Sequence, residues 1–163
     1  MNVLFVCSSN TCRSPMAEAL LDDIIDRSSD LRGNVKVESC GTFACEGQDA
    51  TQPAIKAMEE LGLSLKKHEA QQFDLEKAEW ADLILAMSKE QIEHMEAISP
   101  KQTEKMHTLL GYVNGVLGDP ADDEYNVPDP YKGDEEDYAQ CAKVLKKATA
   151  ELSEIIFKEL FYE

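Results

Sequence analysis

Apolar positions along the chain follow two rhythms, one for strands and one for helices. Val3 to Val6 form a continuous apolar run ending at Cys7, the pattern of a strand buried on both faces within a parallel sheet, which predicts a first strand over Asn2 to Cys7. A polar loop, Ser8 to Ser14, follows at once. Pro15 suits a first helical position with Ser14 as N-cap, and Met16, Ala19, Leu20, Asp23, Ile24 and Arg27 step onward at helical spacing. Val35, Val37 and Ser39 alternate as a second strand, Gln52 to Leu61 reads as a helix stopped by Gly62, and Ala81 to Met87 reads as a third buried strand. Trp80, just before it, is expected to cover the core. A short strand near Lys105 to Leu109 and a long helix from about Glu135 to Leu160 complete the pattern. In that helix Tyr138, Cys141, Leu145, Ala148, Leu152 and Ile155 form one apolar stripe for the core. Strands alternating with helices predict an α/β fold.

A chain of 163 residues is the length of one compact domain, here taken as 1–163. With 43% hydrophobic and 29% charged residues, the composition is that of a soluble globular protein. Thirty-two acidic against sixteen basic residues give a net charge of −16, a field that repels nucleic acid and anionic membranes. The N-terminal MNVLFVCSSN lacks a basic leader and its apolar run is too short for a signal peptide, so a cytoplasmic protein is expected. Five cysteines at positions 7, 12, 40, 45 and 141, an odd number, argue for reduced thiols rather than a disulfide framework. Gly118 to Asp137 is rich in proline, glycine and acid, and a loop this long in a compact domain suggests a functional lid. Its last acids, Asp134 to Asp137, suit the start of a solvated helix.

The loop after the first strand carries the candidate chemistry. Cys7 and Arg13 stand in a Cys-x5-Arg-Ser arrangement between a strand end and a helix start, the place where ligands bind in parallel sheets. Consecutive backbone N–H groups in such a loop form a nest for phosphate, the helix N-terminus adds partial positive charge, and Arg13 clamps two oxygens. The same positive groups favour Cys7 as a thiolate and in-line nucleophile, with Ser14 to stabilise it. Asn10 tolerates the left-handed backbone that a sharp turn requires.

These residues resemble the low-molecular-weight protein tyrosine phosphatases, through VCSSNTCRSPMAEALL, ADLILAMS and Asp-Pro-Tyr at 129–131. The resemblance implies a flavodoxin-like three-layer α/β/α fold with a four-stranded parallel sheet, and phosphate-monoester hydrolysis through a phosphocysteine. It makes Cys7 the nucleophile and Arg13 the phosphate clamp. Ser8, Ser9, Asn10, Thr11, Cys12 and Ser14 form the phosphate-binding loop, and Asp129 is the general acid. A carboxylic acid on a mobile loop suits that role, since it can protonate the leaving group and then activate water. Of the two Asp-Pro pairs, Asp129 is preferred to Asp119 because Tyr131 follows it and walls a slot for substrate. The acidic stretch Ala121 to Val127 between them looks like an insertion. The resemblance also implies that Cys12 is a redox partner, closing a reversible disulfide with Cys7.

Thr11 occupies the place where family members directed at phosphotyrosine carry a bulky aliphatic and bacterial arginine phosphatases carry threonine, so phosphoarginine is the favoured substrate. A hydroxyl at the rim meets a guanidino group better than isoleucine does, and an acidic loop suits a cationic leaving group. In the resembled family arginine-directed members often show Gly-Gly after the aromatic and many tyrosine-directed ones a second aromatic; Lys132, following Tyr131, matches neither, so a phosphotyrosine phosphatase is the alternative. An arsenate reductase needs further cysteines after the third strand, but Met87 to Met106 contains none. A non-catalytic phosphate-binding module would need neither Asp129 nor a reactive thiol. Although Cys7/Cys12 and Cys40/Cys45 are both C-x4-C pairs, a metal site is not expected, because Cys7 ends a buried strand. Cys40, Cys45 and Cys141 read as packing residues, and His68, His94 and His107 as outside the site. No cofactor is expected. The partner is a phosphorylated protein substrate, with no nucleic acid and no membrane, and a monomer is expected.

Overall fold

The computed structural model describes residues 1–117 and 123–162. Four strands, β1 (Asn2–Cys7), β2 (Lys36–Gly41), β3 (Leu83–Ala86) and β4 (Met106–Thr108), form one sheet in the order β2-β1-β3-β4. All pairs are parallel, with Val3 opposite Val37 and Leu83, and Ile84 opposite Met106. The helices are α1 (Arg13–Arg27), α2 (Gln52–Glu60), α3 (Leu75–Trp80), α4 (Lys89–Ile98), α5 (Leu109–Val113) and α6 (Glu135–Phe161).

Because side chains alternate along a strand, β1 serves two cores at once. Val3, Phe5 and Cys7 face a core built with α1, α2, α5 and α6. Leu4 and Val6 face a second one with Phe73, Ala78, Ile92 and Met95, against which Trp80 packs. This is the three-layer α/β/α arrangement expected, and it brings the carboxyl ends of the strands to one edge.

Local signals explain most boundaries. Gly62, at φ 79°, ends α2 as its N–H bonds Glu59 O and the Leu63 N–H bonds Met58 O, the geometry that glycine adopts without strain. Asp134 and Asp137 cap α6 reciprocally. Three expectations shift. Helix α1 starts at Arg13 rather than Pro15, with Cys12 and not Ser14 at the N-cap, because the Ser14 hydroxyl is drawn inward. The last position of the α6 stripe is Ile156 rather than Ile155, as a helix of 3.6 residues per turn drifts from a strict 3,4 pattern over its length. Helices α3, α4 and α5 add to the expected elements, and of these α4 carries a local signal, the capping box of Ser88 and Gln91. No helix among the described residues is long and apolar enough to cross a membrane.

Candidate active site

β1 delivers Cys7 to the edge of the sheet, and Ser8 to Cys12 turn the chain into α1. No side chain caps the first turn of α1 and no acidic residue occupies it, which leaves its N–H groups open to an anion. Asn10 turns the loop at φ 58°. Its left-handed backbone is held on every side: Gln71 N–H donates to Asn10 Oδ1 (3.0 Å) and His68 Nε2 donates to Asn10 O (2.6 Å). Gly41 on β2 makes room for this turn, since a Cβ there would overlap the Ser8 carbonyl oxygen and crowd Asn10 N at 3.0 Å.

Cys7 Sγ lies 2.9 Å from Ser14 Oγ and accepts the Asn10 N–H at 3.3 Å. Arg13 is 5% exposed and its guanidinium faces the acid loop, donating through Nη1 to Val127 O (3.0 Å) and approaching Asp129 Oδ2 at 3.5 Å through Nη2. Val127 N–H in turn bonds Met87 O at the end of β3 (2.7 Å), so the loop is tied to the sheet just before Asp129. Cys7, Ser8, Ser9, Thr11, Cys12, Arg13, Asp129 and Tyr131 line one cleft of about 290 Å³, to which Gln48 and Thr51 also contribute. Asp129 is its acidic residue. Asn10 and Ser14 lie fully buried behind the wall.

Thr11 is 2% exposed and forms part of the wall, with its hydroxyl on Ser9 Oγ (2.7 Å), rather than standing at an open rim. Tyr131 is 57% exposed at the mouth. Its N–H bonds Asp129 Oδ1 (3.1 Å), which turns the Asp129 carboxylate inward. The following Lys132 adopts φ 66°, a conformation natural to glycine, and places its Nζ 5.9 Å from the Tyr131 ring centre. The competing Asp119-Pro120 pair lies outside the described residues, as does part of the Ala121 to Val127 insertion.

The five cysteines are free thiols. Cys12 is buried between Tyr138 OH (3.4 Å) and Thr51 Oγ1 (3.5 Å). Burial, and then the bond to Cys12, push the Tyr138 hydroxyl up to about 12. Burial also raises Cys40 well above the usual thiol range and Cys141 to about 12, as expected of packing residues held as thiols. Cys45 is a correction: it is exposed in the loop after β2 rather than buried in a core. Among the described residues no group of His, Cys, Asp or Glu is arranged to hold a metal ion.

Several residues that buttress the loop lie far from it in sequence. His68, expected outside the site, holds the Asn10 carbonyl, and burial lowers its affinity for a proton. Gln91 Nε2 donates to Ser8 Oγ (3.2 Å), and Asn10 Nδ2 donates to both Ser14 Oγ (2.8 Å) and Ser39 Oγ (2.9 Å). Only Gln91 had a local signal, the capping box.

Behind Ser39 stands Glu18, raised from 4.5 to about 7, chiefly by burial. Between these values the folded protein keeps a proton that the unfolded chain has released. The stability linked to that proton is therefore fully present below pH 4.5 and lost as pH rises through 7. Glu18→Gln should flatten this dependence. Denaturant titrations at pH 5 and pH 8 should show a smaller loss of stability on going to pH 8 in the variant than in the wild type.

Comparison with known proteins agrees with this geometry. The family model for the low molecular weight phosphotyrosine protein phosphatases matches residues 2–161. The protein-arginine-phosphatase of Bacillus subtilis is 35% identical over 98% of this chain and 99% of its own length. The low molecular weight protein-tyrosine-phosphatase Wzb of Escherichia coli K12 is 33% identical over 97% of each chain. Among solved structures, a Cys-to-Ser mutant of the YwlE arginine phosphatase, bearing a phosphorylated active-site serine, superposes with a TM-score of 0.86 at 35% identity over 97% of each chain. A strand, anion loop and helix shared end to end with such proteins make the chain a member of the low-molecular-weight phosphotyrosine protein phosphatase family.

Proposed function

We propose that this cysteine-dependent protein phosphatase hydrolyses phosphoarginine in proteins, with Cys7 as nucleophile, Arg13 as phosphate clamp and Asp129 as general acid. The observation that carries the mechanism is the placement of Cys7 Sγ under two hydrogen-bond donors, in one cleft with the Arg13 guanidinium and the Asp129 carboxylate. The thiolate attacks phosphorus in line, an S–P bond forms, and the P–N bond to the guanidino group breaks as Asp129 protonates the departing nitrogen. Asp129 then takes a proton from water, which attacks phosphorus and releases phosphate and the thiolate. The phosphoserine in the related YwlE mutant supports a covalent course.

Arg13 holds two phosphate oxygens while Val127 O holds its guanidinium in place. A lysine supplies a point charge without the planar fork. Arg13→Lys should lower kcat/KM by about 10²–10³-fold, a loss of the size seen when one oriented donor is removed from an oxyanion site. Steady-state kinetics on para-nitrophenyl phosphate measure it, and near-wild-type rates would remove Arg13 from this role.

Substrate choice rests on Thr11 and on the arginine-phosphatase relatives. The phosphotyrosine alternative draws on Tyr131, an exposed aromatic wall suited to a phenyl ring, and on the tyrosine-phosphatase relatives. Phosphoarginine and phosphotyrosine peptides assayed side by side decide between them. Thr11→Ile adds apolar bulk inside the wall, so it should depress phosphoarginine hydrolysis and preserve phosphotyrosine hydrolysis. The ratio of specificity constants should move by roughly 10- to 200-fold. A wild type that prefers phosphotyrosine, or an unmoved ratio, would leave Thr11 as a packing residue. In the same reading Cys12 is the thiol that resolves an oxidised Cys7. The chain works in the cytoplasm as a one-domain monomer on phosphorylated proteins, without a cofactor, nucleic acid or membrane. Its charge of −16 supports the last two points.

A further inference from the structure

Glu18 lies on α1, outside the catalytic cleft, and its carboxylate ends a hydrogen-bond chain that reaches Cys7. The Ser39 hydroxyl donates to Glu18 Oε1. With its single proton so committed, Ser39 Oγ accepts one Asn10 Nδ2 proton (2.9 Å). The second Nδ2 proton goes to Ser14 Oγ (2.8 Å), and the Gln71 N–H on Asn10 Oδ1 fixes which way the amide faces. Ser14 Oγ is thus an acceptor toward Asn10, so its own proton is left for Cys7 Sγ at 2.9 Å or the more distant Cys40 carbonyl at 3.4 Å. The backbone of this same Asn10 supplies the other donor to Cys7 Sγ.

The geometry points to Glu18 as a proton-linked positioning residue: ionised, it anchors Asn10 through Ser39 and so aligns both donors on Cys7 Sγ. An ionised carboxylate accepts a far stronger bond than a protonated one. It polarises the Ser39 hydroxyl and makes Ser39 Oγ a better acceptor for Asn10. When Glu18 is protonated its own O–H competes for Ser39 Oγ, and the hold on Asn10 weakens.

Glu18 changes charge in the working range because of its surroundings. Burial is the first cause of its raised value, and Asp22 one turn along α1 and Glu38 on β2 add to it, while the bond from Ser39 opposes them. Glu18 and Asp22 line a cavity of about 570 Å³ together with Lys66, Lys67 and His68, so a proton can reach the carboxylate without crossing the catalytic cleft. His68 holds the Asn10 carbonyl from that side, and burial keeps it neutral above its lowered range.

The inference rests on Cys7 being the nucleophile, and one experiment separates the two. Wild type, Glu18→Gln and Ser39→Ala are compared by kcat on para-nitrophenyl phosphate between pH 5.5 and 8.5, and by the rate of iodoacetamide alkylation read on the Cys7 peptide by mass spectrometry. Reading that peptide alone excludes the exposed Cys45. Both variants should lose an ionisation near pH 7 that the wild type shows, and at pH 8 their kcat should fall by roughly 3- to 30-fold. Inhibition by inorganic phosphate should stay within about 3-fold, because Arg13 and the loop N–H groups remain. Ser39→Ala keeps the Glu18 carboxyl, which then ionises at higher pH because the opposing Ser39 bond is gone, and removes the link to Asn10. An ionisation that persists in Ser39→Ala, whether near 7 or shifted upward, would make Glu18 a bare charge and overturn the proposal. A loss of kcat by one factor at every pH would make it merely structural and overturn it equally. If alkylation of the Cys7 peptide left turnover intact, the nucleophile reading would fall, and this inference with it.

Discussion

Replacing Cys7 by serine is expected to abolish turnover of para-nitrophenyl phosphate and phosphopeptides, with a loss on the order of 10⁴-fold or more, while inorganic phosphate still binds. The proposed mechanism assigns the two functions to different atoms. It has phosphate held by the N–H groups at the start of α1 and by Arg13, which is 5% exposed and anchored on Val127 O. It gives the attack to the sulfur, which receives the Asn10 N–H and faces the Ser14 hydroxyl. A serine hydroxyl at this position has no base beside it, since its neighbours donate hydrogen bonds or are hydroxyls themselves. Isothermal titration with phosphate and steady-state rates measure the two properties separately. Retained activity in the variant would remove the covalent step, and the slow gain of one phosphoryl group on the serine, read by mass spectrometry, would support it.

The second large effect belongs to Asp129. Asp129→Asn should lower kcat by roughly 10²–10⁴-fold on a substrate whose leaving group needs a proton, and much less on para-nitrophenyl phosphate, whose leaving group departs as an anion. Asparagine keeps the shape and the bond to the Tyr131 N–H but has no proton to give at neutral pH. It also removes the carboxylate that lies 3.5 Å from Arg13 Nη2 in the cleft. Phosphate entering the cleft must displace that contact, so inorganic phosphate should bind Asp129→Asn no more weakly than the wild type. Asp119→Asn serves as the control. An equal or larger loss there would transfer the acid role to the other Asp-Pro pair.

Much of the architecture is written in short-range pattern. The apolar run of β1, the polar loop and the stripe of α1 are contiguous in the chain, and their spacing alone places Cys7 and Arg13 at a strand end and a helix start. The same holds for Gly62 ending α2 and for Asp134 with Asp137 opening α6, because each of these signals acts within one turn of helix. Short helices such as α3 and α5 carry too few residues for a period to emerge.

The support of the site depends on residues that only folding brings together. Ser39 on β2, His68, Gln71 and Gln91 reach the loop across 29 to 83 residues, and apart from the capping box at Gln91 nothing local distinguishes them from ordinary polar positions. The start of α1 at Arg13 is likewise decided in three dimensions. Ser14 is an excellent N-cap by local preference, but its hydroxyl is worth more between Asn10 and Cys7, where burial strengthens each bond. Sequence by itself thus determined the order of the four strands with α1, α2 and α6, and the placement of Cys7 and Arg13 at a strand end and a helix start, because strand and helix periodicity are properties of neighbouring residues. Tertiary structure alone decided which buried side chains hold Asn10, how Val127 and Asp129 close over Arg13, and that Cys45 stands exposed. Each of these depends on contacts between segments whose separation in the chain says nothing about their distance in space.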